Sequence, residues 1–194
     1  MAGLIDAAEQ NDVEGVRRLL DEGADVDGRD AHSRTALLAA THANAIDVAR
    51  LLIERGADVN AKDDMQDSPY LYAAAEGRLA ILKMTLDAGA DLKSTNRYGG
   101  TGLIPAAHHG YPDVVRLLVT TDIDIDHVNK LGWTAVMEAV ILGDGGPVYE
   151  EILRILLNAG ADPTIADRDS VTPLQHARSL GFNNLADLLE AAGG

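Results

Sequence analysis

The stretch GADVNAKD, residues 56–63, decides the fold because its first three residues return at a fixed period. Gly-Ala-Asp begins at Gly23, Gly56, Gly89 and Gly160, and the first two steps are 33 residues long. One more such step reaches Asp122, in the sequence DIDID, and five extra residues lie between there and Gly160. A fixed period of this length predicts stacked structural repeats.

A second marker with the same spacing is a hydroxyl residue before a short apolar run such as ALLAAT. Ser and Thr accept backbone N–H groups at helix starts, so each predicts the start of a short helix. Pro69 and Pro173 follow at a first-turn position, where a missing N–H is harmless. The markers are Thr35, Ser68, Thr101, Thr134 and Thr172.

A second helix follows the short one in each repeat. Val48, Leu51 and Leu52 illustrate its apolar spacing, which places them on one face of a helix. Gly56 and its equivalents come directly afterwards, at the left-handed position that commonly ends a helix. Asp122 replaces this glycine once, and a left-handed Asp costs about 1 kcal/mol.

These residues resemble the ankyrin repeat, in SVTPLQHAR (170–178), SPYLYAAAEG (68–77) and GADVNAKD (56–63). The resemblance covers essentially the whole chain and implies an all-α repeat solenoid of stacked helix pairs with β-hairpin-like loops. The stretches NRYGGTGL and HVNKLGWTAVMEAVILGDGG also resemble small bacterial single-domain ankyrin proteins, a group without a general assigned activity. The chain departs from the family where T-P-L-H has its histidine, with Leu38, Leu71, Ile104, Met137 and Gln175 there instead.

We therefore expect one ankyrin-repeat domain over residues 1–194, built from six repeats. Residues 1–29 lack the leading hairpin and form an N-terminal cap, and residues 167–194 form a C-terminal cap. The full repeats are residues 30–62, 63–95, 96–128 and 129–166, of which the last carries the five-residue insertion.

Composition restricts the partners. The chain has 31 Asp and Glu against 16 Lys and Arg, a formal charge of −15, which disfavours nucleic acid and anionic membranes. The start MAGLIDAAEQND is not a signal peptide, and no apolar run is long enough to cross a membrane. We expect a cytoplasmic monomer without a cofactor; secretion would require a leader that has been removed.

The resemblance places a protein partner on the concave face, formed by the hairpin tips and the ends of the first helices. It implies a noncatalytic protein–protein interaction module. The candidate partner-binding residues at the tips are His32, Arg34, Met65, Arg97, Tyr98, Lys130, Leu131, Trp133 and Arg168, and those at the helix ends are His108, His109, Ile141 and Leu142.

Two features of this set favour binding. Trp133 is the one tryptophan, and large apolar side chains at exposed positions mark binding surfaces; alternatively, its ring folds back over the neighbouring repeat, where Gly100 leaves room. Arg97, Lys130 and Arg168 occupy equivalent tips, and such a basic ladder suits a partner with carboxylates. Alternatively, the three are separate solvated charges.

The insertion, in the turn at residues 143–149, suggests an alternative function. It belongs to repeats four and five, roughly 96–157, where local irregularities gather and where we expect the working region. A structural loop is favoured over an anion nest, because no lysine follows and nearby acids repel anions. The alternative is a small-ligand or peptide-terminus receptor formed by Gly100, Trp133, Glu138, Asp144, Gly145 and Gly146.

Sequence motifs of enzymes are lacking. There is no G-x-S-x-G, no H-E-x-x-H and no cysteine. His108 and His109 are adjacent and point apart on a helix, so they do not chelate one metal. Glu138 is either a general base or, more commonly for such a residue, a structural carboxylate hydrogen-bonded to the adjoining hairpin. We therefore predict no catalytic residue and no metal site.

Overall fold

The computed structural model describes residues 3–194, so Met1 and Ala2 of the predicted cap lie outside the described residues. The described residues form consecutive pairs of α-helices without a β-strand, which confirms the all-α class. The helices are α1 (Leu4–Glu9), α2 (Val13–Asp21), α3 (Ala36–His42), α4 (Ile46–Glu54), α5 (Pro69–Ala75), α6 (Leu79–Asp87), α7 (Leu103–His108), α8 (Pro112–Leu118), α9 (Ala135–Ile141), α10 (Pro147–Asn158), α11 (Pro173–Leu180) and α12 (Asn183–Ala191).

Four of the five predicted helix starts are capped as expected. The hydroxyl groups of Thr35 and Ser68 accept the N–H of the residue three positions on, at 3.2 Å in both cases. Thr134 and Thr172 do the same at 3.2 and 3.3 Å. Each of these hydroxyls satisfies a backbone donor that the first turn of a helix leaves without a partner.

Thr101 is the exception, and the prediction that it caps a helix is wrong. Its hydroxyl is buried without a partner, and α7 begins only at Leu103. Elsewhere the residue four positions on donates its N–H to the cap carbonyl, as Glu138 does to Thr134. Here that residue is Pro105, which has no N–H, so Ile104 donates to the Thr101 carbonyl instead of the hydroxyl.

The predicted glycine stops are confirmed. Gly23, Gly56, Gly89 and Gly160 follow the ends of α2, α4, α6 and α10 with φ between +88° and +95°. Asp122, at the equivalent place after α8, is not among the residues with positive φ, because α8 already ends at Leu118. The left-handed conformation, and the strain it would carry, is therefore not present at Asp122.

The contacts divide the chain into two compact bodies. The N-terminal body comprises residues 3–74 and Arg78–Arg97, and in it α1 packs on α3, α2 on α4 and α4 on α6. The C-terminal body comprises Ala75–Gly77 and Tyr98–Gly194, and in it α7, α9 and α11 pack in series, as do α8, α10 and α12. Within the C-terminal body each helix pair thus stacks on the next, around buried Leu103, Leu118, Met137, Ile152 and Leu153.

A hairpin-like loop precedes the first helix of a repeat and is held by one side chain. In the fifth repeat, Asn129 accepts the N–H groups of Leu131 and Trp133 on Oδ1, at 2.9 and 3.1 Å. Its own N–H donates to the Trp133 carbonyl. The same arrangement surrounds Asp30, Asp63 and Asp167 in other repeats.

Candidate interaction surface

Exposed apolar side chains concentrate on the predicted rows. Most of the large hydrophobic side chains that are at least 40% exposed among the described residues lie at hairpin tips or first-helix ends. Met65, Tyr98 and Leu131 occupy one repeat position at the tips, and Leu142 and Leu180 occupy another at the helix ends. Val128 and Val148 are the exposed members outside both rows.

In the C-terminal body, backbone contacts hold neighbouring hairpins together. The Lys130 N–H donates to the Tyr98 carbonyl at 2.9 Å. A side chain at Gly99 would place its Cβ only 2.9 Å from the Lys130 Cγ, and Gly99 has a φ of +75°. Tyr98 and Leu131, 52% and 48% exposed, therefore project from hairpins in direct contact.

The basic ladder takes part in this stacking. The Arg168 side chain lies against Gly132, where an added Cβ would come within 2.8 Å of Arg168 Cγ. The Arg168 guanidinium donates to the carbonyl of Lys130. Arg168 therefore has a structural role between hairpins, while Arg97 and Lys130 are exposed at the equivalent tips. Whether these cations contact a partner stays a prediction.

Trp133 is half-buried, whereas Gly100, at the equivalent place one repeat earlier, is buried. The backbone of Trp133 is fixed on both sides by Asn129. At the end of α9, Ile141 is half-buried and Leu142 is exposed. The apolar row predicted around Trp133 therefore presents Leu131 and Leu142 more openly than Trp133 itself.

In the N-terminal body, the two candidates of the first full repeat differ in their contacts. Arg34 forms ion pairs with Asp30 at 2.8 Å and with Glu9 at 2.7 Å, so its guanidinium is already paired with carboxylates of the chain itself. His32 is exposed, and its carbonyl accepts the Asp64 N–H at 3.2 Å. Hairpin stacking of the kind seen at Tyr98 and Lys130 thus recurs here.

Glu138, in the first turn of α9, is the most unusual side chain near the candidate surface. Its side chain is 8% exposed, and Oε1 accepts a 2.7 Å hydrogen bond from Asn129 Nδ2. This is the hairpin contact expected of a structural carboxylate. The last repeat forms the equivalent hydrogen bond with donor and acceptor exchanged: His176 on the helix lies 2.7 Å, Nε2 to Oδ2, from the carboxylate of Asp167 in the hairpin.

The two histidines at the end of α7 have different partners. His108 Nδ1 lies 3.6 Å from Glu138 Oε2, which is too long for a hydrogen bond. His109 Nδ1 lies 2.6 Å from the Ala75 carbonyl and therefore donates to it. The two rings are tilted and in contact, with centroids 4.6 Å apart, rather than pointing apart as expected of neighbouring helical residues.

Burial is the largest influence on the pKa values of Glu138 and His108. It raises the pKa of Glu138 to about 7, against the lowering effects of the Asn129 hydrogen bond and the His109 charge. Burial also lowers the pKa of His108, and the charge of His109 lowers it further. At neutral pH His108 is therefore largely uncharged, and Glu138 is present in both its protonated and its ionised form.

Sequence reasoning missed Asn129, which joins Glu138 to the hairpin. The signal available was position, because Asn129 begins its hairpin where Asp30, Asp63 and Asp167 begin theirs. A repeat-by-repeat alignment therefore identifies the loop-holding residue. It does not reveal that Asn129 also donates to Glu138, because that contact depends on the side chain nine positions later.

The insertion is divided between a turn and a helix. Helix α10 has 12 residues, against 9 in α4 and α6, and begins at Pro147, inside the segment 143–149 that the sequence predicts as a turn. The Gly146 N–H donates to Asp144 Oδ1 at 2.8 Å, so this donor of the suggested anion nest is occupied. Gly145, at φ +72°, would place a Cβ 2.4 Å from Phe182 Cδ1. Both contacts favour a structural loop.

The extended first turn of α10 also supports the end of α7. The Tyr149 hydroxyl donates to the His108 carbonyl at 2.9 Å. Of the alternative receptor residues, Trp133 and Glu138 are therefore joined through Asn129, whereas Asp144, Gly145 and Gly146 form a separate turn against Phe182. The insertion contacts the neighbourhood of Glu138 and His108 through Tyr149, which donates to the His108 carbonyl.

Among residues 3–194, no group of three His, Asp or Glu side chains is arranged to hold a metal ion. No helix in this part of the chain has the length and apolar character needed to cross a membrane.

Comparisons with known proteins give the same family. A family model for ankyrin repeats (3 copies) matches residues 2–63, 70–167 and 106–192. YahD of Escherichia coli (strain K12), named as an ankyrin repeat protein, is 45% identical over 58 residues, which are 30% of this chain and 29% of YahD. The chain thus matches less than a third of that relative's length.

Two solved structures match over almost their full length. An ankyrin repeat domain from Acinetobacter baumannii AYE has a TM-score of 0.95 and 54% identity, covering 98% of this chain and 97% of that one. The ankyrin repeat protein EF0377 has a TM-score of 0.94 and 41% identity, covering 97% and 96%. The family-model match extends over most of the sequence. The chain belongs to the ankyrin repeat family.

Proposed function

We propose that this chain is a noncatalytic interaction module whose protein partner lies across the hairpin tips and first-helix ends of the C-terminal body. Ankyrin repeat domains are generally noncatalytic modules that bind other proteins. We further propose that it acts in the cytoplasm as a monomer, without a cofactor. Its charge of −15 opposes binding to nucleic acid or an anionic membrane.

The exposure of Tyr98 and Leu131 on contacting hairpins carries this proposal. Leaving large apolar side chains in water is unfavourable, and contiguous exposed apolar groups commonly mark interaction sites. Their backbones are fixed by hydrogen bonds, so little conformational freedom is lost on binding. Leu142 extends the exposed apolar row on the neighbouring helix end.

The test is affinity capture from a lysate of the source cells, followed by measurement of Kd for each captured protein. We expect Tyr98→Ala with Leu131→Ala to weaken binding at least about tenfold, since truncating a binding hot spot typically costs more than about 1 kcal/mol. Circular dichroism checks that the fold is retained.

A matched control is Val128→Ala with Val148→Ala, which shortens two equally exposed apolar side chains outside the rows. This variant should bind like the wild type. Equal binding by the tip variant and the wild type, or equal loss in both variants, contradicts the proposed surface.

A second candidate function is a receptor for a small ligand or peptide terminus around Glu138 and Trp133. The nearly buried carboxyl, whose Oε2 receives no hydrogen bond from the described residues, favours it. Addition of ligands with an amino group should then raise the melting temperature of the wild type more than that of Glu138→Gln.

A further inference from the structure

We propose that Glu138 Oε2 and His108 Nδ1 together form a recognition point for one primary ammonium group, supplied by a lysine side chain of the docked partner. This inference rests on the proposed function, because it specifies the chemistry of the partner at the same surface. It does not follow from the apolar tips, which carry no information about charge.

The first step of the argument is the unused acceptor. More than nine-tenths of the Glu138 side chain is buried, and Asn129 donates to Oε1 alone. In the described part of the chain, Oε2 has His108 Nδ1 at 3.6 Å as its charged or polar neighbour. Oε2 is not among the fully buried polar atoms that lack a partner, so water can reach it, and a charged ligand donor could replace that water. The small exposed fraction gives a ligand access.

The second step is the geometry of the gap. A nitrogen donor about 2.8 Å from each atom would bridge Oε2 and Nδ1. An ammonium has three donors on one atom and suits such a bridge. A guanidinium binds best to two oxygens of one carboxylate, and here Asn129 already occupies one of them. The site therefore favours lysine over arginine.

The third step is charge. His108 is largely neutral at pH 7, and in its Nε2-protonated tautomer Nδ1 accepts a hydrogen bond. The acidic chain as a whole attracts cations. Lys130, at the exposed tip of the same hairpin, repels further cations, so the partner segment should present one lysine rather than a basic run.

A lysine side chain fits better than a chain amino terminus. Glu138 is nearly buried behind the hairpin that carries Leu131 and Trp133, as their shared hydrogen bonds to Asn129 show. A lysine has a four-carbon stem that can lie along apolar surface while its ammonium reaches a deeper acceptor. An amino terminus would have to bring its backbone to the same depth.

Ammonium binding should alter the titration of Glu138. The groups facing it are His108 at the end of α7, His109 directly after that helix, and the neutral amide of Asn129 from the hairpin. Helices α10 and α11 place no described charged side chain in ion-pair contact with it. A nearby cation favours the carboxylate, so binding lowers the Glu138 pKa.

The experiment follows the Glu138 side-chain carboxyl by NMR in the full chain, with carbon-13-labelled glutamate. The probe is n-butylammonium chloride, compared with sodium chloride at equal ionic strength. We expect n-butylammonium to lower the Glu138 pKa by about one unit beyond the salt effect. The accompanying shifts of His108 and Asn129 signals should vanish in Glu138→Gln and persist in Glu151→Gln, which alters an exposed carboxyl on α10.

Two further probes separate the sources of the cation. Methylguanidinium and alaninamide should each lower the pKa less than n-butylammonium. An equal effect of methylguanidinium, a larger effect of alaninamide, or an n-butylammonium effect no greater than that of sodium chloride overturns the inference. These outcomes do not touch the proposed function, whose test is loss of capture in the tip variant.

Discussion

At the scale of single residues, Glu138 and Asp167 form equivalent hydrogen bonds, but their pKa values shift in opposite directions. In the last repeat the carboxylate belongs to the hairpin, and the hydrogen bond from His176 holds the pKa of Asp167 below its usual value. In the fifth repeat the carboxylate is on the helix, where burial raises the pKa of Glu138 to about 7. One repeat position thus supports two protonation behaviours.

The first prediction follows from the Glu138 titration. The folded chain holds this proton more tightly than the unfolded chain, whose glutamate has a pKa near 4.5. Stability from this group is therefore complete below about pH 4.5 and is lost as pH rises through about 7. Urea denaturation from pH 5 to 8 should show a loss of about 2–3 kcal/mol relative to Glu138→Gln.

The variant serves as the reference because every other titrating group is the same in both proteins. Glutamine retains an oxygen that accepts from Asn129 and carries no charge to bury. Parallel pH curves for wild type and variant would show that Glu138 titrates as an exposed carboxyl, contrary to its burial.

At the scale of the elements, the start of α7 differs from the other first helices because of Pro105. Without its N–H, the Thr101 carbonyl accepts from Ile104 and the Thr101 hydroxyl has no partner. The equivalent hydroxyl of Thr134 caps α9 at 3.2 Å. Two threonines at one repeat position therefore contribute differently to stability.

The second prediction compares these threonines. Thr134→Val should destabilise the protein by about 1 kcal/mol, since it removes a helix cap. Thr101→Val replaces an unpaired buried hydroxyl by a methyl of similar shape and should be neutral or stabilising. Free energies of unfolding in urea measure both. Equal destabilisation would mean that the Thr101 hydroxyl has a partner in solution.

The third prediction concerns the turn between α9 and α10. Gly145→Ala brings a Cβ into the Phe182 ring and adds left-handed strain, so it should destabilise by about 1–3 kcal/mol. Gly181→Ala is the control, because Gly181 has a similar φ of +76° but open space around it. It should show the strain alone, about 1 kcal/mol.

Thermal or urea unfolding of both glycine variants decides whether the turn packs against Phe182. In the Phe182→Ala background, the penalty of Gly145→Ala should fall to that of Gly181→Ala, since residues in contact are not additive. An unchanged penalty in that background would exclude the contact as its cause.

At the scale of the whole molecule, charge and similarity give complementary information. The acidic excess is spread along the chain, while Arg97, Lys130 and Arg168 recur at the hairpin tips. Long-range attraction therefore favours a cationic partner, and under the proposed function the basic tips would meet acidic groups of that partner. The similarity to the Acinetobacter domain covers 98% of this chain, so it includes the irregular fifth repeat.

The period, the helix pairs and the glycine stops could be predicted from the sequence because they depend on nearby residues. A capping threonine reaches three positions ahead, and a stop such as Gly56 needs only its own positive φ. The exposure of Tyr98 and Leu131 could also be predicted, since the resemblance to ankyrin repeats places both residues at hairpin tips. Local chemistry repeated at a fixed spacing determined these features.

Only the tertiary structure decided what Glu138, Thr101 and the insertion do. Glu138 has its unusual pKa because α7 and the hairpin bury it, and α7 lies some thirty residues earlier in the chain. The insertion packs against distant residues, because Gly145 lies against Phe182 and the Tyr149 hydroxyl donates to the His108 carbonyl. These contacts join distant residues, and their energies depend on distances and burial that exist only once the repeats are stacked.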